Sequence, residues 1–328
     1  MELGNLGLGT YLGAPDRATD ESYTASARAF AAGGGQVFDT AANYRGGRSE
    51  RALGLAFREL PRESIFVSTK AGYLPMGDGV RQESAQAWFQ RVLGGPGVLA
   101  AEDVVDGCHA LTPDYLTHQA RVSLAAMGLD RIDLFHLHNP EHQRPGLGPG
   151  PFRMVMRKAF EACEAMVAQG WIGAYGCATW NGFRVPPGAP DHLSLETLLE
   201  DARDVAGQGH HFRWIQLPLN LAMAEAFTVA TQSMAGNLLT PLEAARAAGL
   251  QVQVSASLMQ ARILGQLAPD LLPGCATEAQ GALQFARSCP GVTTALCGMS
   301  RPAHVRENLA ILNLPKADLA ALRALVSP

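Results

Sequence analysis

The chain is short of charge. Only 17% of its 328 residues are Asp, Glu, Lys or Arg, against roughly 25% in an average globular protein. It has no basic run or stripe, and its formal net charge is −4. The electrostatic footprint of nucleic-acid binding is therefore missing. No stretch approaches 18 consecutive apolar residues, which argues against a membrane span. The amino-terminal MELGNLGLGTYLGAP lacks a basic start and an apolar run ahead of a cleavage site, so it does not read as a secretory signal. Cys108, Cys163, Cys177, Cys275, Cys289 and Cys297 form no C-x-x-C pair. They read as free thiols of a reducing, cytoplasmic compartment rather than a disulfide frame or zinc knuckle.

What the chain does have is apolar bulk and turn residues. Hydrophobic residues reach 47%, which excludes a disordered chain and suffices for a large core. Its 35 Gly and 20 Pro exceed the usual shares of about 7% and 5%. Short apolar runs alternate with helical patterns along nearly the whole length. The expected strands are Leu6–Thr10, Val37–Thr40, Ile65–Thr69, Leu134–His138, Ala174–Ala178, Trp214–Leu217, Val252–Ser255 and Thr294–Cys297. Helical patterns follow near 20–32, 49–60, 114–127, 153–169, 193–206, 236–248, 276–287 and 302–312, with a further helix over 319–326. Asp20, Ser49 and Thr112, the last followed by Pro113, are the expected N-caps. Gly33, Gly128, Gly170 and Gly249 stand where helices should stop.

Eight βα units imply parallel strands closed into a (β/α)8 TIM barrel, with one domain spanning 1–328. Three Gly/Pro-rich insertions, 72–111, 140–151 and 182–190, follow the third, fourth and fifth strands. They lie at the strand C-termini, the face on which barrel enzymes build active sites.

Four polar residues stand at or just past strand ends: Asp39 in VFDT, Tyr44 five residues later, Lys70 in IFVSTK and His138 in DLFHLH. An acid, a phenol, a lysine and an imidazole together suit carbonyl chemistry. A nearby lysine cation should bring the phenol down from its reference pKa near 10, while the aspartate keeps that lysine charged and oriented. The H-x-H of His136 and His138 also admits a metal-dependent hydrolase, because alternate strand residues share a face. No third strand-end ligand completes such a site.

The segments LGLGTYLG, VFDTAANYRGGRSERALG, VSTKAGY, LTPDYL, GLDRIDLFHLHNP, GWIGAYG, IQLPLNL and GVTTALCGMSRPAHVRENL resemble the aldo-keto reductase superfamily, in that family's order. The resemblance implies NADP, with NAD as the alternative, lying across the barrel mouth without a Gly-x-Gly-x-x-Gly loop. It also implies an Asp39–Tyr44–Lys70–His138 tetrad, with Tyr44 supplying the proton while hydride passes from nicotinamide C4 to a carbonyl carbon.

The implied cofactor set is Gly9, Thr10, Thr179, Gln216, Ser255, Leu258, Gly298, Ser300, Arg301, His304, Glu307 and Asn308. Ala178–Thr179 stands where the family carries Ser-Asn, Ser255 where it carries a stacking aromatic, and His304 where it carries Gln or Arg. Trp180 is the nearest aromatic in sequence to replace the missing ring. Arg301 suits a 2′-phosphate. Tyr11, Trp88 and Asn139 are the expected pocket wall for a small-molecule carbonyl or alcohol substrate. Some relatives act as potassium-channel auxiliary subunits, so a cofactor-binding regulatory subunit is the rival reading.

Overall fold

The computed structural model describes residues 3–77 and 83–326. Its strands are β1 (Leu6–Gly9), β2 (Val37–Asp39), β3 (Phe66–Ala71), β4 (Ile132–His138), β5 (Ile172–Ala178), β6 (Phe212–Pro218), β7 (Gln232–Met234), β8 (Asn237–Leu239), β9 (Gln251–Ser255) and β10 (Thr294–Gly298). All but β7 and β8 close into a parallel barrel in the order β1-β10-β9-β6-β5-β4-β3-β2. The (β/α)8 reading holds, with each expected strand present.

The helices are α1 (Arg17–Ala32), α2 (Arg48–Phe57), α3 (Ala85–Phe89), α4 (Pro113–Met127), α5 (Arg144–Leu147) and α6 (Pro149–Ala168). They continue with α7 (Leu195–Ala206), α8 (Glu225–Thr228), α9 (Pro241–Ala247), α10 (Glu278–Ser288), α11 (Pro302–Leu309) and α12 (Leu319–Ala324). Among the described residues no helix is long and apolar enough to cross a membrane.

Core packing follows the residue types. Phe38 on β2 sits between Phe30 of α1 and Phe57 of α2, with ring centroids 5.5 and 5.2 Å away and edge-on. Phe160 of α6 meets Tyr175 of β5 and Phe212 of β6, both at 5.3 Å. Burying such a side chain contributes about 1.5–3 kcal/mol. These aromatic joints fix helices against strands, and the strands in turn aim their C-terminal residues at one mouth.

Three local expectations are corrected. Helix α1 is capped by Asp16, whose Oδ1 accepts from the Thr19 N–H at 2.8 Å; Asp20 lies inside the helix and pairs with Arg45 and Arg48. Helix α2 begins after Gly47 at φ 79°, and Ser49 Oγ instead donates to the Thr10 carbonyl at 2.7 Å. The helix expected over 236–248 is shorter. Ala235 and Gly236, at φ 49° and 79°, turn the chain into the β7–β8 hairpin. Thr240 then caps α9 through a reciprocal pair with Glu243. Thr112 occupies the N-cap of α4 with Pro113 in the first turn, without a side-chain capping bond.

The first insertion has its own small core. Leu74, Trp88, Leu93, Leu99, Ala110 and Tyr115 pack together beside the barrel. Gly79, within that insertion, lies outside the described residues.

Candidate active site at the barrel mouth

Strand register gathers the chemistry. Gly9 pairs Asp39, Asp39 pairs Ser68, Lys70 pairs His136, His138 pairs Ala178, and Ala178 pairs Gln216. Asp39, His138 and Gln216 line a cavity of about 410 Å³, with Lys70 buried against Asp39.

Asp39 is the hub of that floor. Its Oδ2 accepts from Lys70 Nζ at 2.7 Å. Its Oδ1 accepts from Ser68 Oγ at 2.7 Å and Gln216 Nε2 at 2.9 Å. Lys70 Nζ also donates to the Thr40 carbonyl at 2.7 Å and lies 4.9 Å from the centre of the Tyr44 ring. Below them Gln253 joins the network, accepting from Gln216 at 2.9 Å and donating to Ser68 at 3.3 Å. Every donor around the carboxylate is thereby aimed, so the pair is held despite full burial.

The electrostatics differ in one respect from the sequence expectation. Burial, and then the Asp39 charge, push the Tyr44 phenol well above its ordinary value. These two effects outweigh the Lys70 cation 4.9 Å from the ring centre, which is itself paired with the Asp39 carboxylate at 2.7 Å. Burial lowers Lys70, and Asp39 opposes that shift. Burial, followed by the Lys70 charge, drives His138 well below the usual imidazole value. At neutral pH the site therefore presents a protonated phenol beside a neutral imidazole, their ring centroids 5.8 Å apart.

His136 takes a different role from His138. Its Nε2 meets Gln253 Oε1 at 3.2 Å, tying it into the network beneath the cavity. Among the described residues no group of three His, Cys, Asp or Glu is arranged to hold a metal ion.

The cavity wall includes Gly9, Thr10, Tyr11, Asn139, Thr179, Gln216, Ser255, Leu258 and Gly298 from the expected set. Trp88 does not reach it, being buried in the satellite core of the first insertion. Further along, Ser300 accepts from Ser22 Oγ at 2.5 Å, and Glu307 accepts from Thr277 Oγ1 at 2.8 Å. Asn308 is buried and donates to Cys297 Sγ at 3.8 Å. Arg301 and His304 are exposed at the start of α11. None of these five lines the main cavity; Cys297 and Gly298 connect its edge to them.

Sequence reasoning passed over Tyr73, Asn43, Ser257 and Gln260, all on the wall. Tyr73 stands perpendicular to His138 at 5.1 Å, and its hydroxyl accepts from Asn139 Nδ2 at 3.3 Å. Its place, three residues past Lys70 at the start of an insertion, was the available signal. Trp180 also lines the cavity and is partly exposed.

The loop after β9 tests whether a dinucleotide suits this mouth. Ala256, Met259, Gln260 and Ala261 adopt left-handed backbone, at φ 53°, 46°, 57° and 67°, with no glycine among them. Such conformations cost of order 1–3 kcal/mol each and concentrate at ligand clamps. The Ser257 hydroxyl on this loop is buried with no hydrogen-bond partner among the described residues. A turn of this kind exposes main-chain N–H groups to an anion, and an orphan hydroxyl adds another donor. The loop thus fits the diphosphate of a dinucleotide.

A barrel with an acid, lysine, phenol and neutral imidazole at its mouth defines an oxidoreductase-type site for carbonyl and alcohol groups. The model of the aldo/keto reductase family matches residues 5–185, and the chain belongs to that family. It is similar to D-threo-aldose 1-dehydrogenase of Pseudomonas sp, with 27% identity over 89% of this chain and 85% of that protein. It is also similar to the NADH-specific methylglyoxal reductase of Escherichia coli, with 24% identity over 87% of this chain and 81% of that one. Its fold matches that of an aldo/keto reductase from Klebsiella pneumoniae solved in complex with NADP and acetate. The TM-score is 0.66 and the identity 23%, over 99% of this chain and 92% of that one.

Proposed function

We propose that the protein is an NADP(H)-dependent oxidoreductase interconverting a small neutral carbonyl compound and its alcohol, with Tyr44 as proton donor. The observation that carries this reading is that Asp39, Tyr44 and His138 line one cavity, with Lys70 buried against Asp39 and beside the Tyr44 ring. When bound, a nicotinamide cofactor supplies or accepts the hydride at the substrate carbon.

The protein's own residues handle the proton. The raised phenol keeps its proton at neutral pH, so Tyr44 is loaded to donate to a carbonyl oxygen in reduction. Lys70, beside the ring, favours the phenolate left behind, and Asp39 keeps the ammonium in place. His138, held neutral, can donate a hydrogen bond to the same oxygen without bringing a charge. Gln216, Thr179 and Ser255 would hold the nicotinamide side of the cofactor, and the loop from Ala256 to Ala261 its diphosphate. Arg301 at the start of α11 would pair with the 2′-phosphate.

The substrate class follows from what surrounds the floor. Among the described residues no Lys, Arg or Glu lines the cavity, and the Asp39 carboxylate is occupied by Lys70. Asn43, Tyr73 and Asn139 supply neutral polar groups, while Tyr11 and Trp180 supply aromatic faces. This favours uncharged aldehydes, ketones or aldoses over carboxylate- or phosphate-bearing ones. The similarity to an aldose dehydrogenase and a methylglyoxal reductase agrees with that class.

Purified protein should consume NADPH with a panel of aliphatic aldehydes, aromatic aldehydes and aldoses. Tyr44→Phe should lower kcat by about 100-fold or more, the scale of a lost general acid. Unchanged turnover in Tyr44→Phe would overturn the assignment. Cofactor binding without turnover on any of these classes would favour a regulatory subunit.

A further inference from the structure

One carboxylate joins the turn after β4 to the segment after β5. Glu141 is 5% exposed. Its Oε1 accepts the main-chain N–H groups of Trp180 at 2.7 Å, Asn181 at 3.1 Å and Gly182 at 3.3 Å. Its Oε2 is buried without a hydrogen-bond partner among the described residues. Removing a carboxylate from water is costly, and here three charge-assisted bonds on one oxygen offset that cost.

The surrounding contacts act on the same segment. The Asn139 N–H donates to the Ala178 carbonyl at 2.6 Å. Asn139 itself lies in left-handed backbone at φ 45°, directly after His138. Arg184 Nε donates to the Trp180 carbonyl at 3.0 Å, and its Nη1 pairs with Glu225 at 2.7 Å. On its other side the segment presents Ala178, Thr179 and Trp180 to the cavity. The Thr179 N–H is bonded to the Gln216 carbonyl at 2.8 Å. Thr179 is thus tied to β6 in front and, through the next three residues, to Glu141 behind.

We infer that Glu141 is a positioning residue for the nicotinamide end of the cofactor, setting Thr179 and Trp180 against the cavity through the N–H groups of residues 180–182. The inference rests on the cofactor reading given above. Two of the family's usual side-chain contacts there are replaced, by Ala178 and Ser255. With fewer side-chain grips, more of the binding geometry depends on where the main chain is held.

The test compares wild type, Glu141→Ala and Glu141→Gln by amide hydrogen exchange over residues 178–185 and by NADPH Kd from calorimetry. Glu141→Ala should speed exchange of the Trp180, Asn181 and Gly182 amides and raise the Kd about tenfold or more. Glu141→Gln keeps a carbonyl oxygen for the same N–H groups and should return the Kd to within about threefold of wild type. A folded Glu141→Ala with the wild-type Kd overturns the inference. Should Glu141→Ala fail to fold, Glu141→Asp, which withdraws the oxygen by one methylene, is read by the same criteria. Wild-type protein that binds neither NADPH nor NADH overturns the cofactor reading itself, and the role of Glu141 falls with it.

Discussion

Asp39 shows how a side chain's neighbours decide its chemistry. A carboxylate at a strand end could accept a metal, cap a turn or pair with a cation. Here Lys70, Ser68 and Gln216 take both oxygens, so it serves as a clamp on the lysine. Asp39, Tyr44, Lys70 and His138 were legible as a group because each stands at or just past the end of a strand whose apolar pattern is clear. Which charge would dominate at Tyr44 was not legible, since it turns on a 2.7 Å contact between residues 31 positions apart. Ser257 and Gln260 were hidden for another reason. Their loop holds left-handed backbone with Ala, Met and Gln, where a sequence reader looks for Gly or Asn. Arg301 is the residue on which the proposed NADP preference turns. It is exposed at the start of α11, so its removal should leave folding intact. Arg301→Ala should weaken NADPH binding about tenfold, within the range of a charge-assisted phosphate contact, and leave NADH binding nearly unchanged. Equal losses for both cofactors, measured by titration, would place the 2′-phosphate elsewhere.

At the scale of elements, the βα rhythm revealed all eight barrel strands because each is a short apolar run bounded by turn residues. The β7–β8 hairpin was missed because its strands are three residues each and mostly exposed. Strands that short carry no alternation to read. Trp88 misled for a related reason: an insertion after a barrel strand suggested a pocket wall, yet this insertion buries its own aromatic. Helix packing yields a sharper test. Gly54 of α2 faces α4, and a Cβ there would stand 2.5 Å from the Ala126 carbonyl oxygen and 2.8 Å from Met127 Cα. Backbone cannot yield as a side-chain end can, so overpacking should exceed the gain in helix propensity. Gly54→Ala should destabilise by about 1–3 kcal/mol. Gly150, in the first turn of α6, has nothing within 4 Å of an added Cβ, and Gly150→Ala should stabilise by about 0.4–1 kcal/mol. Urea unfolding decides both, and matching signs for the two variants would refute the packing argument.

For the whole molecule, the scarcity of charge and the buried barrel interior have a common consequence in acid. Burial lowers six of the nine histidines, His109, His118, His136, His138, His192 and His210. His109 and His136 are pushed to about 4. The unfolded chain binds protons at these sites near pH 6.5, whereas the native state still refuses them. Stability should therefore fall as pH drops from about 6.5, with native His109 and His136 taking up protons only near 4. Glu141 acts in the opposite sense. Burial raises it to about 7 against the pull of its N–H partners, so between about 4.5 and 7 it binds a proton that the unfolded chain has lost. Glu50, also raised by burial, adds to that opposing side. Six histidines outweigh two carboxyl groups. The urea midpoint should thus be lower at pH 5 than at pH 6.5, and His109→Gln should flatten the difference by removing one proton-refusing site. A midpoint that rises on acidification across that interval would mean that the buried histidines do not govern the acid response.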